Sequence, residues 1–353
     1  MSLPLYNVSE MMEAGVFVEY VPLSTSFCSQ YKRDHWYCYV LLLLFSVALP
    51  VGIVGNLAAL VNYTFFRKSS STSHVFLLHL ALCDSAWILT LPFTIYFSVR
   101  RPYLRYIQIF CQFKKVFFTV NIYGSILFLT LISFDRYAGT VHPISSLQWW
   151  DVGKAKLCSA LAWVLLALGS IPDLFVTFGV RRPGNATACM DHIQGPFAYV
   201  RCIAVVRTLV GFLLPLAVML ALYGMTLRVL RRLGSGRGGG GGGKGGIGGW
   251  GKRKPMRLIA VALLVFVVSF TPYHAMVITL VFMRLRGEVT AANADLLYAA
   301  FEFFEAMCSV SCCLDPLLYI LDSERVQRRL QALRRGRYGR LCRRGDRRVG
   351  VIS

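Results

Sequence analysis

The residues of this sequence with the clearest capacity for chemistry are charged and polar side chains inside long apolar stretches. Asp84 lies in the middle of one such stretch, where an acid is costly unless it is paired or hydrated, so it is a functional candidate. Asp315, Ser125 and Ser311 lie in other apolar stretches. We expect these four side chains to share a small polar cavity.

A second candidate is the acid–base pair Asp135-Arg136, which ends another apolar stretch and is followed by Tyr137. Arg136 has two interpretations. Its long side chain reaches the membrane surface without any further role, or it forms a local ion pair with Asp135. Release of that pair would free Arg136 to bind a partner.

The elements that must position these residues are membrane helices. Hydrophobic residues make up 56% of the 353 positions and charged residues 16%, which is not the composition of a soluble domain. A helix needs roughly 20 apolar residues to cross a bilayer. Such stretches lie near 37–66, 74–98, 107–137, 155–178, 199–230, 256–283 and 293–321. The predicted fold class is an all-α membrane protein, a seven-transmembrane helix bundle with a short amphipathic cytoplasmic eighth helix.

Basic residues predict the orientation, since short loops rich in Lys and Arg stay in the cytoplasm. Nine basic residues and no acid lie between Arg228 and Arg257, and eleven Arg lie between Arg325 and Arg348. We therefore expect an extracellular segment 1–36, a seven-helix membrane domain 37–321 with a Gly-rich cytoplasmic loop 233–254, and a basic cytoplasmic tail 322–353. Anionic inner-leaflet lipid, rather than nucleic acid, accounts for these charges.

Covalent modifications follow from the same orientation. Cys111 and Cys189 both fall on the oxidising side, and we predict a disulfide between them. Asn7 and Asn185 begin glycosylation sequons on that side. Cys342, in the basic tail, is either a palmitoylation site or a free thiol.

Taken in order along the chain, the motifs resemble those of the rhodopsin-like (class A) G-protein-coupled receptors over about residues 37 to 330. Each motif lies on its own apolar stretch. The residues that carry the resemblance are Gly55-Asn56, Leu80-Ala81-Leu82-Cys83-Asp84, Asp135-Arg136-Tyr137, Trp163, Pro215, Tyr223, Pro272, Asp315-Pro316 and Tyr319.

This resemblance implies a plasma-membrane receptor that couples to a heterotrimeric G protein, with arrestin as a possible further partner. It implies no cofactor beyond an allosteric sodium ion, with Asp84 as its metal ligand, in a cavity that collapses on activation; a hydrogen-bonded network without an ion is the alternative. The residues expected to switch state or meet the G protein are Asp135, Arg136, Tyr137, Pro215, Tyr223, Phe270, Pro272, Pro316 and Tyr319. Phe270 departs from the family, in which many members have Trp.

Within the family, the chain resembles the purinergic nucleotide receptors and their relatives for succinate and oxoglutarate. The segments 121–130, 252–261, 270–274 and 311–316 carry this likeness. Lys115, one helical turn after Cys111, matches a position where the subgroup has an anion-binding base. Arg207 is a second candidate cation, so an anionic ligand is expected. The predicted ligand-binding residues are Lys115, Phe118, Thr119, Arg207, Tyr273, His274, Val277 and Glu305.

Two of these positions depart from the subgroup. Val277 replaces a usual Arg, and Glu305 replaces another base and is expected to neutralise Lys115 or Arg207. A highly charged nucleotide is therefore doubtful, and a monoanionic metabolite or lysophospholipid is at least as plausible. His274 either touches ligand or packs in an aromatic layer.

Other functional classes fit less well. The sequence contains no His-Glu-x-x-His pattern for an enzyme, and it has no repeated half of the kind found in transporters. A receptor for a peptide or neutral lipid, or one without a ligand, is the main alternative, and a transporter is a remote one.

Overall fold

The computed structural model describes residues 36–66, 71–99, 104–176, 179–181, 187–189, 197–235 and 248–322. Within these residues seven helices are long and apolar enough to cross a membrane. We call them the first to seventh spans: Tyr39–Phe65, Thr72–Tyr96, Ile109–Val141, Val152–Leu174, Ala198–Arg232, Met256–Leu285 and Ala300–Asp322. The prediction of a seven-helix membrane bundle is confirmed. The end that carries Arg136 is called the inner end, and the opposite end the outer end.

Several spans are built from more than one helical segment. The helices are Trp36–Val61, Thr72–Ile88, Leu91–Val99, Leu104–Val141, Ser145–Trp149, Val152–Val176, Phe197–Val206, Leu214–Ser235, Gly248–Leu285, Ala291–Cys308, Ser311–Leu314 and Pro316–Asp322, and π-helical segments cover Asn62–Phe66 and Arg207–Leu213. Helix therefore extends to Ser235 and resumes at Gly248, inside the predicted loop 233–254. The predicted segment 1–36, apart from Trp36, and the predicted eighth helix lie outside the described residues.

A short hairpin follows the fourth span. Strand β1 (Gly179–Arg181) pairs antiparallel with strand β2 (Thr187–Cys189), with Gly179 opposite Cys189. Both strands lie against the outer part of the helix Leu104–Val141. The hairpin therefore borders the outer end of the third span.

Proline has a different effect in each of the three helices in which we predicted a bend. Pro215 follows directly on the π-helical segment of the fifth span, and Pro316 begins the last segment of the seventh. The sixth span stays helical through Pro272. Proline removes one backbone donor and clashes with the preceding turn, so the fifth and seventh spans have interruptions where their halves can move.

The third span lies at the centre of the bundle and packs against the second, fourth, fifth and sixth. Small residues allow the closest approaches: a Cβ added at Gly124 would lie 2.4 Å from Cys83 Sγ, and one at Gly55 would lie 2.4 Å from Pro316 Cγ. Large apolar side chains on the outside of the fourth span, including Leu157, Leu161 and Leu168, are more than half exposed. That surface is suited to lipid rather than water.

Candidate functional site

At the inner end, Arg136 is held by three different spans. Its Nη2 atom lies 2.8 Å from Asp322 Oδ1, at the end of the seventh span. The same nitrogen donates to Ser73 of the second span, whereas Nε is 3.8 Å from Asp135 Oδ2 on the third span itself. The predicted pair with Asp135 exists, but Asp322 is the closer carboxylate.

Asp135 is itself anchored by two further groups. Ser73 donates its hydroxyl to Asp135 Oδ2, and Trp150 Nε1 donates to Asp135 Oδ1 at 2.9 Å. His74 Nε2 lies 3.5 Å from Asp322 Oδ2. The second, third and seventh spans are thus tied together around Arg136, which is 22% exposed. In this arrangement the guanidinium of Arg136 is bound by side chains of the protein itself.

The other predicted switch residues differ in their burial and contacts. Tyr319 is buried and donates to Asn56 Oδ1 at 3.1 Å, which joins the seventh span to the first. The Tyr137 hydroxyl lies 3.5 Å from His142 Nε2. Tyr223 and Pro272 are half-buried and Pro215 is buried.

In the middle of the bundle, Asp84 is fully buried. Its Oδ1 accepts from Asn121 Nδ2 at 3.2 Å and from Ser125 Oγ at 3.3 Å. Asp315 lies close enough to interact with it directly. The predicted cavity therefore brings together Asp84, Ser125 and Asp315, with Asn121 as a member that we did not predict. Ser311 donates within its own span, to Cys308 O at 2.8 Å.

The carboxyl oxygens of this cavity are not all satisfied by protein donors. Within the described residues, Asp84 Oδ2 and both oxygens of Asp315 have no hydrogen-bond partner. Two adjacent buried carboxyl groups cannot both keep a bare negative charge in a low dielectric, so they need a bound cation or a shared proton. Carboxylate, amide and hydroxyl oxygens are suitable ligands for a small hard cation.

Between this cavity and the outer half lies an aromatic layer. Phe270 is fully buried and meets Phe266 edge to face, with ring centroids 5.7 Å apart. His274 stacks on Phe212 at 4.3 Å. Its Nδ1 is 2.9 Å from Phe270 O and its Nε2 is 3.4 Å from Tyr123 OH. The structure thus shows the packed histidine; a ligand contact for His274 stays a prediction.

In the outer half, Arg207 is matched by an acid of the fourth span. It donates from Nη1 to Asp173 Oδ1 at 3.0 Å and from Nη2 to Asp173 Oδ2 at 2.7 Å. Thr119 Oγ1 donates to the same carboxylate at 2.6 Å, and Gly169 O accepts from Arg207 at 2.8 Å. Thr119 and Arg207 do come together, but around Asp173. Arg207 as a ligand cation stays a prediction.

A second outer ion pair joins the third and seventh spans. Glu305 Oε1 lies 2.9 Å from Lys114 Nζ, and Glu302 Oε1 lies 3.9 Å from it. The sequence predicts that Glu305 neutralises Lys115 or Arg207. The structure shows a partner that we did not predict, Lys114, which is one residue earlier in the helix than Lys115.

Aromatic rings surround the predicted ligand residues below Lys115. The Lys115 ammonium lies 5.6 Å from the centroid of Phe118. The Phe118 ring is 5.3 Å from Trp87 and 5.3 Å from Tyr273, and Tyr273 is 5.9 Å from Phe301. We call Trp87, Phe118, Tyr273 and Phe301 the aromatic floor. Val277 is also buried.

Of the predicted covalent modifications, only the disulfide involves residues that the structure describes. Cys111 is disulfide-bonded, and the hairpin places Cys189 of β2 in the same outer region; the identity of its partner stays a prediction. Asn7, Asn185 and Cys342 lie outside the described residues.

Several residues of these clusters were missed by sequence reasoning, among them Asp322, Ser73, Asp173, Lys114 and Asn121. Asp173 had a usable signal, since an acid within the fourth apolar span requires a partner in the same way as Asp84. Asp322 had a weaker one, because it stands at the start of an otherwise basic tail.

Comparison with known proteins agrees with this arrangement. The family described as "7 transmembrane receptor (rhodopsin family)" matches residues 55–319. The chain is 30% identical over 315 residues to the Y-type purinoceptor 1 of Homo sapiens, covering 87% of this chain and 80% of that protein. It is 31% identical over 294 residues to the Y-type purinoceptor 2 of Homo sapiens, covering 82% of this chain and 75% of that protein.

The matched residues include Asp135, Arg136, Ser73 and the Asp84 cavity, whereas Asp322 lies three residues beyond the end of the match. Seven membrane spans, an arginine held by carboxylates at the inner end and homology over most of the length make this a multi-pass plasma-membrane receptor and not an enzyme. The chain belongs to the rhodopsin family of seven-transmembrane, G-protein-coupled receptors.

Proposed function

We propose that this receptor responds to a small extracellular ligand with a single anionic group, such as a monocarboxylate or lysophospholipid. Its N-terminus would face outward and its basic tail the cytoplasm, as the distribution of Lys and Arg predicts. The relatives are named purinoceptors. At about 30% identity that name suggests a class of ligand without fixing it.

The observation that carries this proposal is the internal compensation of positive charge at the outer end. Arg207 makes a two-point hydrogen-bonded pair with Asp173, and Lys114 is bound to Glu305 and lies near Glu302. A ligand with several phosphates would have to draw several of these cations away from their acids. A ligand with a single anionic group requires fewer such exchanges, and the aromatic floor supplies an apolar surface for the rest of such a ligand.

Signalling would follow from two states of the bundle. In the state described here Asp322, Asp135 and Ser73 occupy Arg136. A ligand that prefers a state with the inner ends of the fifth, sixth and seventh spans displaced would shift the population toward it. In that state Arg136, with Tyr223 and Tyr319 nearby, becomes available to a heterotrimeric G protein. We infer that arrestin uses the same inner face, and that anionic lipid binds the basic inner segments.

A sodium ion fits the central cavity and forms part of this proposal. Asp84, Asp315, Asn121 and Ser125 would hold it, since three carboxyl oxygens there have no donor among the described residues. The ion would supply the positive charge that allows both acids to stay ionised. These residues then stabilise the resting state, and a displacement of the seventh span would move Asp315 away from the other three.

A nucleotide is the second candidate, favoured by the names of the relatives. In that case Lys115 would bind a phosphate group, and the compensated cations Lys114 and Arg207 would have to exchange their partners. The acids displaced from these cations, Glu305 and Asp173, would then repel the several negative charges of a nucleotide, and that repulsion is the argument against it.

A G-protein activation screen tests these alternatives directly. Cells expressing the receptor are exposed to monocarboxylates, dicarboxylates, lysophospholipids, nucleotides and nucleotide sugars, with Lys115→Ala alongside and Arg286→Ala as the control at an exposed outer position. We expect a monoanion to activate and Lys115→Ala to lower its potency by at least about tenfold. Activation by nucleotides alone would reject the proposal in favour of the purinergic candidate.

A further inference from the structure

The outer ion pair of Lys114 with Glu305 connects two spans whose helices otherwise barely meet. Within the described residues, the backbone of the helix Leu104–Val141 makes few close approaches to the helix Ala291–Cys308. The 2.9 Å contact between Lys114 Nζ and Glu305 Oε1 therefore bridges the space between them. The side chains are largely buried, with Lys114 13% and Glu305 9% exposed.

The geometry points to an exchangeable anion site: we propose that the ligand's anionic group, bound by Lys115, also binds Lys114 and there takes the place of the Glu305 carboxylate. This inference rests on the proposed function and names the event that couples binding to activation. Without ligand, Glu305 holds the seventh span to the third. With ligand, Lys114 keeps a negative partner while the seventh span is released.

The exchange is physically reasonable because the ammonium never loses a counter-charge. Removing one member of a buried ion pair leaves an uncompensated charge, which is strongly unfavourable. When the ligand's anion replaces the Glu305 carboxylate, Lys114 keeps its counter-charge, and Glu305 has to move toward water. Once the ligand's anion is in place, Glu305 faces a like charge and is repelled from it. That repulsion acts on the seventh span, which also carries Asp315 and Asp322.

The same cluster limits the charge of the ligand. Glu302 lies 3.9 Å from Lys114 Nζ, so two carboxylates already surround one ammonium. Each additional negative charge on a ligand adds repulsion from Glu302 and Glu305. A monoanion with an apolar body is favoured, because Lys114 stands one turn from Phe118 on the third span and Phe301 one turn from Glu305 on the seventh.

A distance measurement on the purified receptor tests the tether without any G protein. Spin labels are placed by non-natural amino acids at Ile109 and Leu296, which are 48% and 73% exposed near the outer ends of the third and seventh spans. We expect Glu305→Gln to shift the distance distribution to longer values. The charge-reversed double variant Lys114→Glu with Glu305→Lys should restore the original distribution. Glu288→Gln is the control, because its pair with Arg286 is exposed.

The exchange itself is tested with 4-phenylbutyrate as the probe and 4-phenylbutanol as its uncharged counterpart. The carboxylate should lengthen the labelled distance in the parent protein. In Lys114→Gln the pair with Glu305 is already broken, so the carboxylate should cause no further change in the distance. An unchanged distance in Glu305→Gln, or a failure of the reversed pair to restore it, would overturn the tether. Equal effects of the acid and the alcohol would overturn the anion exchange.

Ligand-independent G-protein activation in the same variants separates this inference from the proposed function. If Glu305→Gln raises it at least about threefold, as a small shift of a two-state population would, the tether controls signalling. If the distance changes and activation stays flat in every variant, Asp322→Asn included, the tether is supported and the proposed coupling to G protein is what fails.

Discussion

Asp322 provides the sharpest prediction, because it is the closest carboxylate to Arg136 and lies on a different span. Replacing it with Asn keeps a side chain of nearly the same shape and an oxygen that can accept a hydrogen bond. It removes the negative charge that faces Arg136 at 2.8 Å and His74 at 3.5 Å. The prediction is that Asp322→Asn raises signalling in the absence of ligand.

The size of the effect follows from the contact. A hydrogen bond to a charged group contributes about 1.5–3 kcal/mol when both partners are buried. Asn keeps part of that bond and Arg136 is 22% exposed, so we take the loss as about 1 kcal/mol. A change of that size alters a two-state ratio about fivefold.

The assay is basal G-protein activation across the Gα classes, measured at matched surface density. Asp322→Glu keeps the charge and should remain within about twofold of the parent. Asp151→Asn is a matched control, since Asp151 accepts from the Lys154 amide at 2.8 Å just before the helix Val152–Val176 and lies outside the set of groups that hold Arg136. Adding Arg136→Ala to Asp322→Asn should remove the increase. A basal signal for Asp322→Asn equal to that of Asp151→Asn would show that Asp322 does not restrain Arg136.

Three further predictions concern stability and ion binding. Asp173→Asn leaves the buried Arg207 without its counter-charge and should cost about 3–5 kcal/mol, seen as a lower melting temperature and less receptor at the surface; an unchanged melting curve would argue against the pair. Gly55→Ala pushes a methyl group into the seventh-span proline at 2.4 Å and should cost about 1–3 kcal/mol, whereas Gly224→Ala, with no atom of the described residues within 4 Å, should not, and equal melting temperatures would contradict this. Replacing potassium by sodium should raise the melting temperature of the parent protein and leave that of Asp84→Asn unchanged; the same response in both would exclude Asp84 from a sodium site.

The membrane spans were predictable from sequence because hydropathy over a window of bilayer length is a strong and local signal. The expected stretch 74–98 corresponds to the observed span Thr72–Tyr96. Boundaries were less certain where basic residues continue a helix beyond the membrane. The helix that begins at Gly248 includes residues assigned from sequence to a Gly-rich loop, since Gly content weakens a helix without forbidding it.

The central cavity was predictable for a different reason. An acid in an apolar span must find polar partners, and Asp84, Ser125 and Asp315 were the polar residues available at comparable depth. Asn121 was missed because it lies one turn from Ser125 on the same helix face, and sequence spacing alone does not say which of two such residues reaches Asp84.

The sequence did not predict which charged residues of different spans form ion pairs with each other. Lys114 and Lys115 are adjacent, and about 100° of rotation around the helix separates their directions, so a small error in helix phase exchanges their roles. Asp322 and Arg136 are 186 positions apart in the chain, and it is the packing of the last seventh-span segment against the first and sixth spans that places Asp322 within reach of Arg136.

The pairing of Arg207 with Asp173 has a consequence for the biosynthesis of the receptor. An Arg in the middle of a helix raises the free energy of its membrane insertion by up to about 3 kcal/mol, and here the acid that compensates it belongs to the preceding span. Asp173 is therefore synthesised before Arg207. The fourth and fifth spans can enter the bilayer as a hydrogen-bonded pair, and a truncated chain that ends after the fourth span would expose Asp173 to lipid and to cellular quality control.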